Sequence, residues 1–255
     1  MTNWATEADK QYRSLPAYSA QRTTELTSLL QPYIEATDCY GVLICEIVLV
    51  LGKTSPATQY DAARRDLIAD VFDFLYEARS LIIKGKLEIA YPLARRAYES
   101  LSLMVACHLD SKLAKQWISG KPINNARVRH LLNKHPAGES EELTSKLYGF
   151  FSQITHPNRD TVAHRFLGDG NEFVLGAIGR PSLAMLADYA LKTLDLWFWF
   201  GAFITFVYLP VLGRVNPDFK RTYDAAATSA REVVPWLVEQ FNRTLAQEQA
   251  AMDRR

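Results

Sequence analysis

Arg159 and Asp160 stand side by side, with an imidazole five positions after the arginine, in the run Arg159-Asp160-Thr161-Val162-Ala163-His164, and Arg165 follows. Those residue types suit chemistry on an anion. A planar guanidinium grips phosphate oxygens through its fork of donors, and an imidazole titrates near neutrality, so it can give or take a proton. Arg95, Arg96 and Glu99 form a second set. Arg95 and Glu99 are four apart and share one face of a helix, either as a partly buried ion-pair network or as groups that orient His156 or His164 from a neighbouring helix. A third set is purely electrostatic. No acidic residue occurs from Ser111 to Gly138, whereas Lys112, Lys115, Lys121, Arg127, Arg129 and Lys134 lie there beside His130, His135 and Trp117. If these cations share a face they form a polyanion-binding patch; otherwise they are a solvated helical surface.

The elements that must position these groups read as helices. Residues around 5–35 carry sparse apolar positions at spacings of three and four, which predicts an amphipathic surface helix. Cys39 to Leu51 is a nearly uninterrupted apolar run carrying Glu46, too short to cross a bilayer, and predicts a buried helix. Further helices are expected at about 58–84, 86–109, 111–119, 123–135 and 139–154. A long irregular loop follows at about 155–181, where Glu172 to Ile178 reads as a short extended segment. Ser182 reads as the N-cap of a helix to about Tyr208, and a last helix opens at Pro217 and runs to about 250, interrupted near Pro235. The fold class expected is all-α, a multi-helix up-down bundle forming a single helical domain over 1–255. Its core occupies about 58–212, with additional helices at both ends.

Composition agrees with that reading. The chain has 255 residues, 48% of them apolar, with 12 Gly and 11 Pro, too little punctuation for the many tight turns of a β-sandwich or barrel. A net charge of +1 excludes a surface that is cationic throughout. Three cysteines are too few and too scattered for a disulfide framework, and their odd number leaves at least one free thiol, which suits a reducing compartment. The first residues lack the basic end and apolar run of a secretory leader, so a cytoplasmic location is expected. No His/Cys spacing fits a zinc site, and no glycine-rich phosphate loop or serine elbow is present, so no metal and no cofactor is expected.

The segment "RDTVAHRF" resembles the signature of the HEPN superfamily, helical bundles that include many metal-independent ribonucleases of toxin–antitoxin, phage-defence and RNA-processing systems. A partly overlapping likeness spans roughly 60–205. There "PLARRAYESLSLMVAC", followed some fifty residues later by "LYGFFSQITHPNRD", is similar to the uncharacterised bacterial family known as domain of unknown function 5677. That family pairs an Arg…Glu helix with a Ser-x-x-x-His element, matched here by Arg95, Arg96, Glu99, Ser152 and His156.

The resemblance implies an RNA-binding protein or endoribonuclease. His164 would act on a ribose 2′-hydroxyl as general base or acid, Arg159 would hold and neutralise the scissile phosphate, and Asp160 would orient one of them. Lys121, Arg127, Arg129, Lys134 and Arg165 would contact RNA. One imidazole does not comfortably serve as both acid and base, so the resemblance implies a homodimer with a composite site, and an antitoxin or defence protein as partner.

Two other readings stand beside this one. In the first, the Arg/His segment ties a loop to the bundle of a non-catalytic interaction or scaffold protein. In the second, the uncharged stretch Leu196 to Gly213 is a membrane segment and not a core helix or dimer seam. Asp188, Lys192 and Asp195 just before it, and the spread of its aromatics, favour the core.

Overall fold

The computed structural model describes residues 4–134, 149, 166–167, 172–173 and 183–252. Among them eight α-helices build an all-α bundle. They are α1 (Trp4–Leu29), α2 (Gln31–Leu51), α3 (Gln59–Ile83), α4 (Leu87–Leu109), α5 (Ser111–Ile118), α6 (Asn125–Lys134), α7 (Leu183–Val215) and α8 (Phe219–Met252). A two-residue antiparallel ladder, β1 (Phe166–Leu167) with β2 (Glu172–Phe173), pairs Phe166 with Phe173 and Leu167 with Glu172. It falls within the expected loop and overlaps the extended segment. Of the helix expected at 139–154 only Gly149 is described, as a helical residue, and the cap at Ser182 lies outside the described residues.

Helix α7 is the axis on which the others pack. Its inward positions Ala190, Leu194, Trp197, Phe200, Ile204 and Tyr208 recur every three or four residues and are all buried. α2, α3, α4 and α8 lie against it. α2 approaches closely where Gly201 has no side chain. A Cβ there would stand 2.8 Å from Cδ1 of Tyr40, whose ring is fully buried. Deeper along the same seam the Tyr33 hydroxyl and Thr193 Oγ1 are 2.9 Å apart. Thr193 gives its own proton to the Tyr189 carbonyl, so Tyr33 is the donor, and burial pushes its phenol up to about 12.

Helix α7 is also the one described helix long and apolar enough to cross a membrane, with a mean hydropathy of 1.7 over its most apolar window. Within the bundle 44% of that window is buried, and the Lys192–Asp188 ion pair (2.5 Å) lies on the same helix. Length and composition alone fit a core helix equally.

Helix boundaries follow local chemistry. Thr58 caps α3, its hydroxyl accepting from the Asp61 amide at 3.1 Å, and Asp110 caps α5, accepting from Lys112 at 2.8 Å. Four expectations need correction. The first break falls at Leu30 and not between about 35 and Cys39, because Pro32 sits in the first turn of α2, where its missing N–H is harmless. α7 continues beyond Tyr208 to Val215, through Pro210. α8 runs unbroken through Pro235, with Val233 and Leu237 buried on either side. Finally, α2 is buried on one side only: Val42 is 62% and Leu49 70% exposed on the other. Helix α1 is the least engaged element. Leu26 is its single buried residue, and it touches α2 and α3 only lightly.

Candidate functional site

The Arg95 and Glu99 side chains meet on α4 as the four-residue spacing requires, Nε to Oε1 at 3.1 Å, both partly buried. The next residue, Arg96, reaches Asp70 of α3 at 3.4 Å and lies over the Phe74 ring at 5.6 Å, and the Ser100 hydroxyl donates to the same Asp70 carboxylate. This is an ion-pair network between α3 and α4. Glu99 also borders a small cleft between α4 and α6, shared with Tyr98, Ser102, Asn125, Val128 and Arg129. Arg129 and Glu99 therefore face one opening from neighbouring helices, an arrangement no sequence spacing would show.

Helix α6 is amphipathic on a short scale. Val128 and Leu132, four apart, are buried against α4, while Arg127, His130 and Lys134 repeat at three and four on the exposed side. Lys112 and Lys115 are exposed on α5, and Lys121 on the connection between the two helices. Arg127 ties these pieces together, donating to Gln116 Oε1 of α5 at 3.1 Å and lying 3.8 Å from Asp110. Gln116 in turn donates to the Pro122 carbonyl at 2.5 Å. Five of the six cations, together with His130, are thus exposed on two cross-linked helices and the connection between them. The sixth, Arg129, turns partly inward to the cleft.

Arg159, Asp160, His164, Arg165, Ser152 and His156 lie outside the described residues. Among the described residues no cluster of three or more His, Cys, Asp or Glu side chains forms a metal cage. Cys39, Cys45 and Cys107 are all free thiols. Burial, with a contribution from the Asp110 carboxylate, pushes the Cys107 thiol up to about 12 and leaves it protonated at neutral pH.

Two arrangements escape a linear reading of the chain. One is a buried polar hub at Asp61, which is only 5% exposed. Its Oδ1 accepts from the Tyr208 hydroxyl at 2.6 Å. Its Oδ2 accepts from the Ala57 amide at 3.0 Å and faces the Arg65 guanidinium at 3.0 Å, with Arg64 at 3.6 Å from Oδ1. Burial alone would raise this carboxyl, but the hydrogen bonds from Tyr208 and Ala57 and the Arg65 charge outweigh it and hold it below the usual carboxylate range. Arg64 continues the network to His108 Nδ1 at 2.9 Å, joining α3, α4 and α7.

The other is a slot between α2 and α3. These two helices barely meet, and arginines of α3 bridge the gap at both ends. Near the connecting loop Arg65 donates to the carbonyls of Leu51 (2.9 Å) and Thr54 (2.5 Å). At the far end Arg79 donates to Thr37 Oγ1 (2.7 Å) and pairs with Asp38 (2.5 Å). Between the braces lies an open cavity of about 570 Å³. Trp197 of α7 lines it from beneath, Val42 and Leu49 from α2, and Phe72 and Tyr76 from α3. A sequence signal for it did exist: α2 is apolar nearly all round, more than one buried face requires.

No protein family, curated protein or solved structure matches this chain. The site therefore stands on its own geometry.

Proposed function

We propose that the chain is a cytoplasmic RNA-binding bundle of the HEPN type, acting as a metal-independent endoribonuclease in defence or stress response. Two copies would bring two Arg159/Asp160/His164 sets into one composite site, and an antitoxin or defence protein would be the natural partner. The observation that carries this reading is the exposed cationic surface of α5, α6 and their connection. Lys112, Lys115, Lys121, Arg127, His130 and Lys134 stand there with no acidic side chain from Ser111 to Lys134. Such a surface attracts a phosphate backbone through counterion release and needs no sequence recognition. The cleft bordered by Glu99 and Arg129 adjoins it on α6 and is only large enough for a water molecule, so the exposed cations carry the contact with RNA.

In this mechanism His164 takes the proton of a ribose 2′-hydroxyl, whose oxygen attacks the adjacent phosphorus and expels the 5′-oxygen of the next nucleotide. The imidazole of the partner copy protonates that leaving group, and Arg159 carries the charge that develops on the phosphoryl oxygens.

The test is incubation of the full chain with total RNA in EDTA, beside His164→Ala. Cleavage by the parent and none by the variant is the expected result. Equal cleavage, or cleavage by neither, removes the catalytic claim. RNA binding retained by both without cleavage leaves the non-catalytic interaction protein, a reading favoured by the internal pairing of Arg95 with Glu99 and of Arg96 with Asp70.

A further inference from the structure

The slot between α2 and α3 has the features of a small-molecule site, and it is built from elements that the proposed RNA surface does not use. Its volume of about 570 Å³ falls in the range that holds drug-sized ligands, roughly 300–1,000 Å³. Its walls are apolar and aromatic. The rings of Phe72 and Tyr76 stack at 6.0 Å with 14° between their planes, and Trp197 meets Phe72 edge-on at 5.8 Å. Both ends are fixed by the Arg65 and Arg79 braces, so the space is held open before anything binds, and little ordering cost opposes a ligand.

Charge then selects the ligand. Of the ionised groups lining the slot, Asp38 and Arg79 neutralise one another at 2.5 Å. Glu46 is the third. Its named partner is the neutral Asn216 side-chain amide, which donates to Oε1, and among the described residues no cation pairs with it. The slot thus carries one uncompensated carboxylate beside three aromatic rings whose faces are themselves electron-rich. That combination attracts an organic cation and repels an anion of the same shape. We propose that the α2–α3 slot binds a lipophilic organic cation, its apolar body between Val42, Leu49, Phe72 and Tyr76 and its charge directed to Glu46.

Two probes of nearly identical size and opposite charge isolate the claim: tetraphenylphosphonium and tetraphenylborate, titrated calorimetrically into the full chain. The cation is expected to bind at least tenfold more tightly than the anion, about 1.4 kcal/mol. Glu46→Gln should abolish that preference. Leu49→Lys, which places a competing ammonium at an exposed position, should weaken the cation at least tenfold while the circular-dichroism melt stays unchanged. Bound cation should also slow alkylation of Cys45, an exposed thiol on the slot wall. Equal binding of the two probes, binding of neither, or a preference that survives Glu46→Gln would overturn the proposal. So would sedimentation showing a dimer that Leu49→Lys dissociates, since the slot would then be a seam between copies.

Discussion

Replacing Asp61 by asparagine keeps the shape of the side chain and removes its charge, so it tests the hub that joins α3 to α7. In the parent both carboxylate oxygens are engaged: Oδ1 by the Tyr208 hydroxyl at 2.6 Å, Oδ2 by the Ala57 amide and by Arg65, each at 3.0 Å. An asparagine has one oxygen and one NH2, so whichever way it turns, one group of donors faces another donor. Breaking a buried ion pair by removing one partner typically costs about 3–5 kcal/mol. Here the cost is smaller, because Arg64 keeps His108 and Arg65 keeps the Leu51 and Thr54 carbonyls. We expect about 2–3 kcal/mol, a fall in Tm of roughly 5–10 °C for a chain of this size.

Tyr208→Phe removes one charge-assisted bond and should cost about 1.5 kcal/mol. The double variant should lose less than the sum of the two singles by at least about 0.5 kcal/mol, because both act on one network. The pH dependence fixes the sign. A carboxyl held below its ordinary value in the folded chain contributes stability that is fully present above the unfolded pKa, near 3.9, and is lost as pH falls through the folded value. The gap between parent and Asp61→Asn should therefore be constant at pH 5–7 and shrink below about pH 4. Urea midpoints at several pH values measure it. A loss under about 0.5 kcal/mol at pH 7, or a gap that does not close in acid, would refute the account of Asp61 as a buried, charged acceptor.

Three further outcomes follow from the geometry. Gly201→Ala drives a Cβ to within 2.8 Å of the buried Tyr40 ring. Overpacking of about 1–3 kcal/mol, less about 1 kcal/mol gained in helix propensity, should leave a net destabilisation of about 1 kcal/mol, read from thermal melts. Cys45 should react with a maleimide at pH 7.5 in the folded chain, whereas buried Cys107, with its thiol raised to about 12, should react only in denaturant; mass spectrometry of the labelled peptides distinguishes them. For RNA, the triple change Lys121, Arg127 and Lys134 to alanine should flatten the plot of log K against log salt by about 2, at ~0.7 per lost phosphate contact to a single strand. An unchanged slope places the RNA elsewhere.

How far the chain could be read depended on whether the cause was local. The starts expected for α3 and α5, at about 58 and 111, coincide with the caps Thr58 and Asp110, and the ends expected for α3 to α6 lie within about two residues of those observed. The prolines misled where tertiary packing overrode propensity. Pro235 interrupts one helical hydrogen bond, but Val233 and Leu237 are buried on either side of it and α8 continues. The pairing of Arg95 with Glu99 was legible because both lie on one helix. The Asp61–Tyr208 contact, which spans 147 positions, was not. The slot left only a faint trace in the sequence, the apolar excess of α2, because the Arg65 and Arg79 contacts that bound it join helices distant along the chain. The Arg159–His164 segment was the sharpest chemical signal in the sequence, and it lies outside the described residues.

Helix α1 carries a different consequence. With 26 residues and a single buried anchor near its end, it draws little of its order from the tertiary packing that stabilises most protein helices. Amide exchange along it should rise steadily with distance from Leu26, like a rope loosening away from its knot. A protease cut among its early turns should leave the melting of the rest of the bundle untouched. Mutations that accumulate there escape the scrutiny that core packing imposes elsewhere, which makes this rod the natural place to attach a tag or a fluorophore.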